Sequence, residues 1–309
     1  KLLTHFLKNA DKLIIPVYQR NYDWKEEHCK KLYSDLVKTV REGKRWHFFG
    51  GIVSVSDPMG SSSDYLVIDG QQRITTVSLL LLAIANLVKA GIVTPKDPNL
   101  YDVITKKYLV DEINPKQRKM KLKPIKGDQD SYDRLWGDPS EYNQSSRITQ
   151  NYLYFYNQIQ RDDISVDQLF SAVEKLQIID ITLTPPDDDP QLVFESLNST
   201  GLDLNEGDKI RNFILMGLDA QMQEEYYEQY WNEIEKNTGY DVSSFARDWL
   251  AAVRRKTPAI KKVYSVFKDY VKAEEFDTKI LLEELLKYSK HFKTITSASS
   301  GNHKVDAVL

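Results

Sequence analysis

Residues 66–84 read LVIDGQQRITTVSLLLLAI, a short apolar run, a polar turn and a second, longer apolar run. The first run, with Tyr65 before it, has the length and the side chains of a buried strand. The second run is apolar almost all round, which predicts a helix from about Gln72 to Lys89 that is buried on several sides. The polar turn, Asp69–Arg73, therefore joins a buried strand to the start of a buried helix.

This turn has the features of an anion site. The start of a helix has unpaired backbone N–H groups and the positive end of the helix dipole. Gly70 permits a tight turn and a close approach of the backbone to a ligand. Arg73 supplies a planar fork of donors for phosphate oxygens, Thr75 and Thr76 add hydroxyls, and Asp69 is a candidate to hold a metal ion or to orient Arg73. In the alternative interpretation Asp69 caps the helix and Arg73 pairs with a surface carboxylate. The turn is not a Walker A loop, because no Gly-Lys-Ser/Thr follows.

A second polar cluster lies at 16–24, PVYQRNYDW. Aromatic rings and arginine can stack on nucleic-acid bases, and glutamine can read base edges, so the cluster suggests a nucleic-acid or nucleotide contact. In the alternative interpretation the aromatic side chains pack against the start of the following helix. That alternative accounts less well for the two polar members. The aromatic members are Tyr18, Tyr22 and Trp24, and the polar members are Gln19 and Arg20.

A third cluster spans 193–215, VFESLNSTGLDLNEGDKIRNFIL. A glycine helix stop and a helix N-cap explain Gly201, Asn205 and Asp208. Capping does not explain four further polar residues, which makes them candidates for a site: Glu195, Asn198, Arg211 and Asn212.

The order of predicted elements indicates an α+β fold. Strands are expected at about 13–18, 47–55, 65–68, 116–126 and 177–183, with an edge strand at 13–18 and a hairpin joined by a loop at 56–64. Helices are expected at 26–41, 72–89, 131–136, 147–160 and 166–176, and then at 191–198, 206–217, 221–236, 242–254, 260–271 and 277–291. We predict a first domain at 1–190, with a helical insertion at about 95–175, and a helical domain at 191–309. The stretch 294–304 is polar and is expected to form a loop.

Composition limits the class of protein. The chain has 309 residues, a net charge of −3 and one cysteine, Cys29. Its length favours two domains, and its small charge leaves only local basic stretches such as 116–126, with Lys119 and Lys121, as DNA contacts. The apolar run 77–84 is too short for a membrane span, and the first residues do not resemble a signal peptide. We expect a soluble, cytoplasmic protein that does not contact a membrane.

Four motifs in series resemble the N-terminal domain of the GmrSD-type, modification-dependent restriction endonucleases of prokaryotic anti-phage defence. They are IPVYQRNYDW at 15–24, FFGGIVSV at 48–55, and the two motifs at 66–84 and 193–215 given above. The resemblance implies a ParB/sulfiredoxin-like fold, in which a small mixed sheet packs with helices and an all-helical part follows. In that fold phosphate contacts come from a Gly-polar-Arg turn before a helix.

The resemblance also implies binding and hydrolysis of a nucleoside triphosphate with Mg²⁺ or another divalent cation, coupled to cleavage of modified DNA. Carried onto this sequence, the implied roles are the following. Asp69, Gln72 and Arg73 are the catalytic candidates, and Asp69 and Glu195 are the metal candidates. The nucleotide candidates are Gln19, Arg20, Gly70, Gln71, Gln72, Arg73, Thr75, Thr76 and Asn198. The DNA candidates come from the aromatic cluster and the basic stretch and not from the resemblance, and they are Tyr18, Tyr22, Trp24, Lys119 and Lys121.

One departure from the family concerns the nuclease. Family members usually carry a C-terminal His-Asn-His nuclease domain, whereas the histidines here are scattered, at His5, His28, His47, His291 and His303. We therefore expect the nuclease to be a separate domain or subunit. Two alternatives stay open, a modified-DNA-binding module with a vestigial nucleotide site and a non-catalytic subunit that recruits a nuclease. The aromatic helix at 221–236 is expected to pack within the helical part, and a homodimer contact is its alternative.

Overall fold

The computed structural model describes residues 1–56, 63–111, 119–161, 164–185, 187–198 and 204–299. These residues form two compact units. Unit 1 contains Lys1–Pro16 and Arg20–Pro190, and unit 2 contains Val17–Gln19 and the chain from Gln191 onward.

Unit 1 is built on a mixed sheet. Its strands in chain order are β1 (Lys12–Ile14), β2 (His47–Ser56), β3 (Asp64–Asp69), β4 (Val110–Asp111), β5 (Lys119–Met120), β6 (Leu122–Lys123) and β7 (Leu176–Leu183). Five of them form one sheet in the order β6-β1-β3-β2-β7, and β4 and β5 form a separate antiparallel pair. Strands β2 and β3 pair as an antiparallel hairpin, while β1 and β7 lie parallel to their neighbours. The predicted α+β class with a mixed sheet is confirmed.

The prediction of an edge strand at 13–18 is wrong. Strand β1 lies inside the sheet, parallel to both β3 and β6. It ends at Ile14, before Pro16, so the proline ends the strand and does not mark an edge. The second neighbour, β6, lies within the strand predicted at 116–126, but it is only two residues long and comes more than 100 positions later in the chain, so no local pattern revealed its pairing with β1.

The helices of unit 1 surround one central helix. In chain order they are α1 (Leu3–Asn9), α2 (Glu26–Arg41), α3 (Gln71–Lys89), α4 (Leu100–Ile104), α5 (Lys126–Arg134), α6 (Arg147–Arg161) and α7 (Val166–Glu174). Helix α3 packs against α4, α6 and α7, and every residue from Leu79 to Ala85 is fully buried. Among the described residues α3 has the length and hydropathy of a membrane span, but 78% of that window is buried inside the protein, as in a core helix. The prediction of a helix buried on several sides is confirmed.

Unit 2 is helical in the residues that the structure describes. Its helices are α8 (Pro190–Asn198), α9 (Glu206–Leu215), α10 (Ala220–Tyr226), α11 (Asn232–Asn237), α12 (Val242–Arg254), α13 (Val263–Ala273) and α14 (Thr278–Ser297). A π-helical turn at Tyr227–Trp231 joins α10 to α11, so the helix expected at 221–236 has an irregular middle. Helix α14 continues to Ser297, so the prediction of a loop from 294 is wrong over its first residues. The predicted loops at 57–62 and 300–304 lie outside the described residues.

Candidate functional site

The turn between β3 and α3 depends on the missing side chain of Gly70. This residue has φ +95°, in the region that favours glycine. A Cβ atom on Gly70 would lie 3.0 Å from the carbonyl oxygen of Gly51 and 3.0 Å from Cγ1 of Ile52. Gly70 therefore lets the start of α3 lie directly against the backbone of β2.

The Arg73 guanidinium is held against the same strand. Its Nη1 donates to the carbonyl oxygen of Gly51 at 3.0 Å and lies 3.6 Å from Oδ2 of Asp69. Gly50 provides the space, because a Cβ atom there would lie 2.6 Å from Nε of Arg73. The Arg73 side chain is 32% exposed, so the guanidinium is fixed on one side and open to solvent on the other.

The helix start at this turn has no side-chain cap. The N-cap residue is Gly70, which has no side chain to bond to the first-turn N–H groups. The interpretation of Asp69 as the helix cap is therefore wrong, whereas its distance to Arg73 fits the orienting role. The positive end of the dipole of a 19-residue helix thus lies beside a partly exposed guanidinium.

Gln72 holds a neighbouring segment of the chain. Its Oε1 accepts from the backbone N–H groups of Asp23 at 2.9 Å and Trp24 at 3.2 Å. Its Nε2 donates to the carbonyl oxygen of Asn21 at 3.3 Å. The Gln72 amide is thus engaged at both ends with the segment 21–24, which makes it a positioning residue in this structure.

Thr76 and Tyr22 fasten the same segment from inside the core. Oγ1 of Thr76 donates to the carbonyl oxygen of Gln72 at 2.7 Å and lies 2.7 Å from the Tyr22 hydroxyl. Nδ2 of Asn151 donates to that hydroxyl at 3.0 Å and to the carbonyl oxygen of Trp24 at 2.7 Å. Burial raises the pKa of Tyr22 well above its usual value. Thr76 and Tyr22 are therefore buried parts of the fold and are not open to a ligand here.

The other residues predicted from the motifs at 15–24 and 66–84 differ in exposure. The Trp24 ring stacks on His28 with ring centroids 5.4 Å apart, as the packing interpretation of the aromatic cluster expects. Gln71 and Thr75, on α3, and Gln19 and Tyr18, in the segment 17–19, are buried. Arg20 is half-buried and makes no hydrogen bond or ion pair with any described residue. Of the cationic candidates whose side chains the structure describes, Arg20 and Arg73 are thus the ones open to an anion.

The segment 21–24 also bonds to a partly buried carboxyl group that no sequence pattern indicated. Oδ2 of Asp128, in α5, accepts from the backbone N–H of Tyr22 at 2.6 Å. Burial raises the pKa of Asp128 to about 6, and the hydrogen bond from Tyr22 opposes the rise. The segment is therefore tied to a group that titrates close to neutral pH.

We expect Asp128→Asn to make the protein more stable near neutral pH. The folded protein binds a proton at Asp128 that the unfolded chain releases at about pH 4, so the free energy of unfolding falls as pH rises from about 4 to about 6. An asparagine Oδ1 still accepts from Tyr22 but carries no charge. Above about pH 7 the variant should exceed the wild type by about 1–3 kcal/mol, measured by urea unfolding at several pH values. The control is Asp130→Asn, an exposed carboxylate on the same helix. Parallel pH curves for wild type and Asp128→Asn would contradict the role of Asp128.

Lys121 does not lie on a DNA-facing surface, contrary to the sequence prediction. Its side chain is buried, and Nζ donates to the carbonyl oxygens of Leu7, Lys8 and Lys107 at 3.2, 3.0 and 3.1 Å. Burial lowers the pKa of this ammonium group. Lys121 therefore ties α1 to the π-helical turn at Thr105–Leu109. The side chain of Lys119 lies outside the described residues.

In unit 2, Glu195 is the centre of a polar cluster. Nζ of Lys268 donates to its two oxygens at 2.8 and 2.7 Å, and Nε2 of Gln191 and the hydroxyl of Tyr264 also donate to it. Burial raises the pKa of Glu195, but these three donors more than offset that effect and leave the pKa lowered. No group of three acidic, histidine or cysteine residues in the described ranges is arranged to hold a metal. The metal role of Glu195 stays a prediction, and the side chain of Asn198 is outside the described set.

Arg211 is a structural centre of unit 2. Its guanidinium is buried and donates to the carbonyl oxygen of Tyr18 at 2.7 Å, to Glu235 at 2.6 Å and to Asp208 at 2.9 Å. Asn212 is also buried, and its Oδ1 has no partner among the described residues. Glu235 and Asn151 were missed from the sequence, because each is one of several polar residues in its helix and no motif distinguishes it from the others.

The geometry defines a glycine-arginine turn at the start of a buried helix on a mixed sheet, followed by helices. The family described as GmrSD restriction endonuclease, N-terminal domain, matches residues 3–215, more than half of the chain. The chain belongs to this family, and it is part of a restriction enzyme of the GmrSD type, which acts in defence. The resemblance seen in the four motifs is thereby confirmed. No curated protein matches the chain.

Proposed function

We propose that unit 1 binds a nucleoside triphosphate at the β3–α3 turn, and that binding and hydrolysis there control DNA cleavage by the restriction enzyme. The observation that supports this most is the Arg73 guanidinium, which is fixed by Gly51 and Asp69 while about a third of the side chain stays exposed. A cation that is oriented before binding loses little side-chain entropy when phosphate oxygens arrive.

The surroundings of Arg73 favour a multiply charged anion. The start of α3 adds the positive end of its dipole at the same place. A triphosphate carries enough negative charge to engage donors of this kind together.

A divalent cation fits this proposal through Asp69. Mg²⁺ usually takes one or two protein carboxylates together with substrate phosphates and water. The Asp69 carboxylate is 37% exposed and lies beside Arg73, which suits it to hold such an ion next to phosphates. The ion would neutralise phosphate charge, while Arg73 orients the phosphate oxygens and Gln72 keeps the segment 21–24 in place.

The test compares Arg73→Ala with a matched surface arginine. We expect Arg73→Ala to weaken nucleotide binding about 10- to 100-fold, because one charge-assisted hydrogen bond contributes about 1.5–3 kcal/mol. Binding of a fluorescent nucleoside triphosphate and release of phosphate with Mg²⁺ measure the effect. Arg147→Ala is the control, since its guanidinium pairs with Asp23 and is 42% exposed. A wild-type chain that neither binds nor hydrolyses any nucleoside triphosphate would refute the proposal.

A second candidate is a modified-DNA-binding module whose nucleotide site is vestigial. Two side chains that were predicted to contact the nucleotide or its metal already have partners in the protein, which favours this candidate. The Gln72 amide bonds to backbone groups, and Glu195 is paired with Lys268. This candidate predicts salt-dependent binding to modified but not to plain duplex, with the same affinity whether or not nucleotide is present. A nucleotide-dependent change in DNA affinity would decide against it.

A further inference from the structure

A run of positive charge lies in unit 2, outside the four family motifs. Residues 249–268 contain no aspartate or glutamate. They contain six basic residues, in a chain whose net charge is −3: Arg254, Arg255, Lys256, Lys261, Lys262 and Lys268. We call the segment 254–262 the basic turn.

The cations of the basic turn follow the C-terminal end of one helix. Helix α12 ends at Arg254, and Arg255 follows with φ +55°. A 3₁₀ turn at Ile260–Lys262 packs against α12, so the basic turn returns to the helix from which it starts. All five of its cations are exposed, and their side chains form no hydrogen bond or ion pair with any described residue. Four of them lie beyond the last residue of α12 and are the ones considered for binding. These four are Arg255, Lys256, Lys261 and Lys262.

The other charged residues near the basic turn have partners or opposite charges close to them. Lys268 is paired with Glu195. Arg254 is still within α12, and it acts on the Tyr270 hydroxyl together with the carboxylates of Glu274 and Glu284. Because these acids are close to it, Arg254 is not included in the four. The Glu206 carboxylate accepts from the backbone N–H of Tyr264 and pairs with Lys209, and it is thus already engaged. None of these acids pairs with the four exposed cations in the part of the chain that the structure describes.

We propose that the basic turn binds the phosphodiester backbone of DNA without reading its sequence. Unpaired, exposed lysine and arginine side chains are the groups that neutralise DNA phosphates and release counterions. An anionic membrane surface is the other polyanion to consider, but it would require an apolar face to insert. Ile260, 44% exposed, is the one large exposed apolar residue in this part of the described chain. Because the chain belongs to a restriction enzyme family, DNA is the polyanion that we propose for the basic turn.

The test removes the four charges together. The variant Arg255→Gly, Lys256→Gln, Lys261→Gln, Lys262→Gln should keep its fold, because glycine prefers the positive φ that Arg255 adopts. Fluorescence anisotropy of a labelled duplex of about 20 base pairs, between about 50 and 200 mM salt, measures affinity and its salt dependence. We expect the plot of log affinity against log salt to become shallower by about 0.9 for each DNA phosphate that the variant no longer neutralises, and the affinity at low salt to fall about tenfold or more. The reduction in affinity should be equal for plain and modified duplexes.

A matched control separates this surface from net charge. Lys30→Gln, Lys31→Gln, Lys38→Gln and Arg41→Gln remove the same formal charge from exposed positions on α2. A loss of DNA affinity as large in this control overturns the proposal, as does an unchanged affinity in the basic-turn variant with its circular dichroism intact. Loss of binding to phosphatidylserine vesicles, with DNA binding unchanged, also overturns it and assigns the turn to a membrane. Phosphate release without DNA should be the same in the basic-turn variant and the wild type, so this test and that of Arg73 can fail separately.

Discussion

Gly70→Ala is expected to lower the free energy of unfolding of unit 1 by about 2–5 kcal/mol. An alanine at φ +95° has an unfavourable backbone conformation, which costs about 1–2 kcal/mol. Its Cβ atom would also meet backbone atoms, the carbonyl oxygen of Gly51 at 3.0 Å and Cα of Ile52 at 3.2 Å, which cannot rotate away. Moving the start of α3 away from β2 would also displace Arg73, so we expect weaker nucleotide binding in any protein that still folds.

Gly43→Ala is the matched control for Gly70→Ala. Gly43 also has a positive φ, +62°, but a Cβ atom there would meet nothing within 4 Å. Only the conformational cost of about 1–2 kcal/mol should appear in this variant. Calorimetry and urea unfolding of the full chain compare the two variants. Equal losses of unfolding free energy in the two variants would show that the close approach of α3 to β2 does not exclude a side chain at position 70.

Arg211→Met is expected to destabilise unit 2 by about 3–5 kcal/mol. The substitution removes three hydrogen bonds and leaves Glu235 as a buried carboxylate without its cation. Trp231 and Tyr227 still donate to Glu235, but neither carries a positive charge. The carbonyl oxygen of Tyr18 also loses its donor, so the segment 17–19 should become more accessible to proteolysis.

Two further variants test the cause of that loss. Arg247→Met removes an exposed guanidinium that pairs with Asp248, and it should cost no more than about 0.5 kcal/mol. Adding Glu235→Gln to Arg211→Met removes the unpaired charge and should restore part of the stability. Thermal unfolding of all three variants measures these differences. A double variant less stable than Arg211→Met would show that the buried charge is not the source of the loss.

The hydrogen bonds of Gln72 and Thr76 give a physical reason for two of the four family motifs to occur together. The motif at 66–84 supplies both side chains, and they bind Asp23, Trp24 and Tyr22 of the motif at 15–24. Much of the polar character of both motifs therefore stabilises their mutual packing. The polar side chains left for a ligand in unit 1 are fewer than the motifs suggest. Among the predicted polar residues whose side chains are described there, Arg20, Asp69 and Arg73 are half-buried and the others are buried.

Local sequence patterns were sufficient to predict the class of fold and the position of its central turn. The run of apolar residues around Leu79–Ala85 allows only a buried helix in a compact unit, because an all-round apolar surface has to be covered. A glycine before Gln71 and an arginine at 73 likewise indicated a tight turn with a fixed cation. These are local properties, because a few neighbouring residues and their backbone angles decide them.

Which polar side chains remain available to a ligand depends on long-range packing. Gln72 and Arg73 are adjacent in one motif, yet the amide of Gln72 bonds to the segment 21–24 while Arg73 stays partly exposed. Lys121 lies in a basic stretch that suggested DNA, and the carbonyl groups of α1 and of the turn at 105–109 bury it. Each outcome depends on partners from about 15 to more than 100 positions away in the chain, and the desolvation of a polar group depends on everything packed around it. No local pattern in a sequence contains that information.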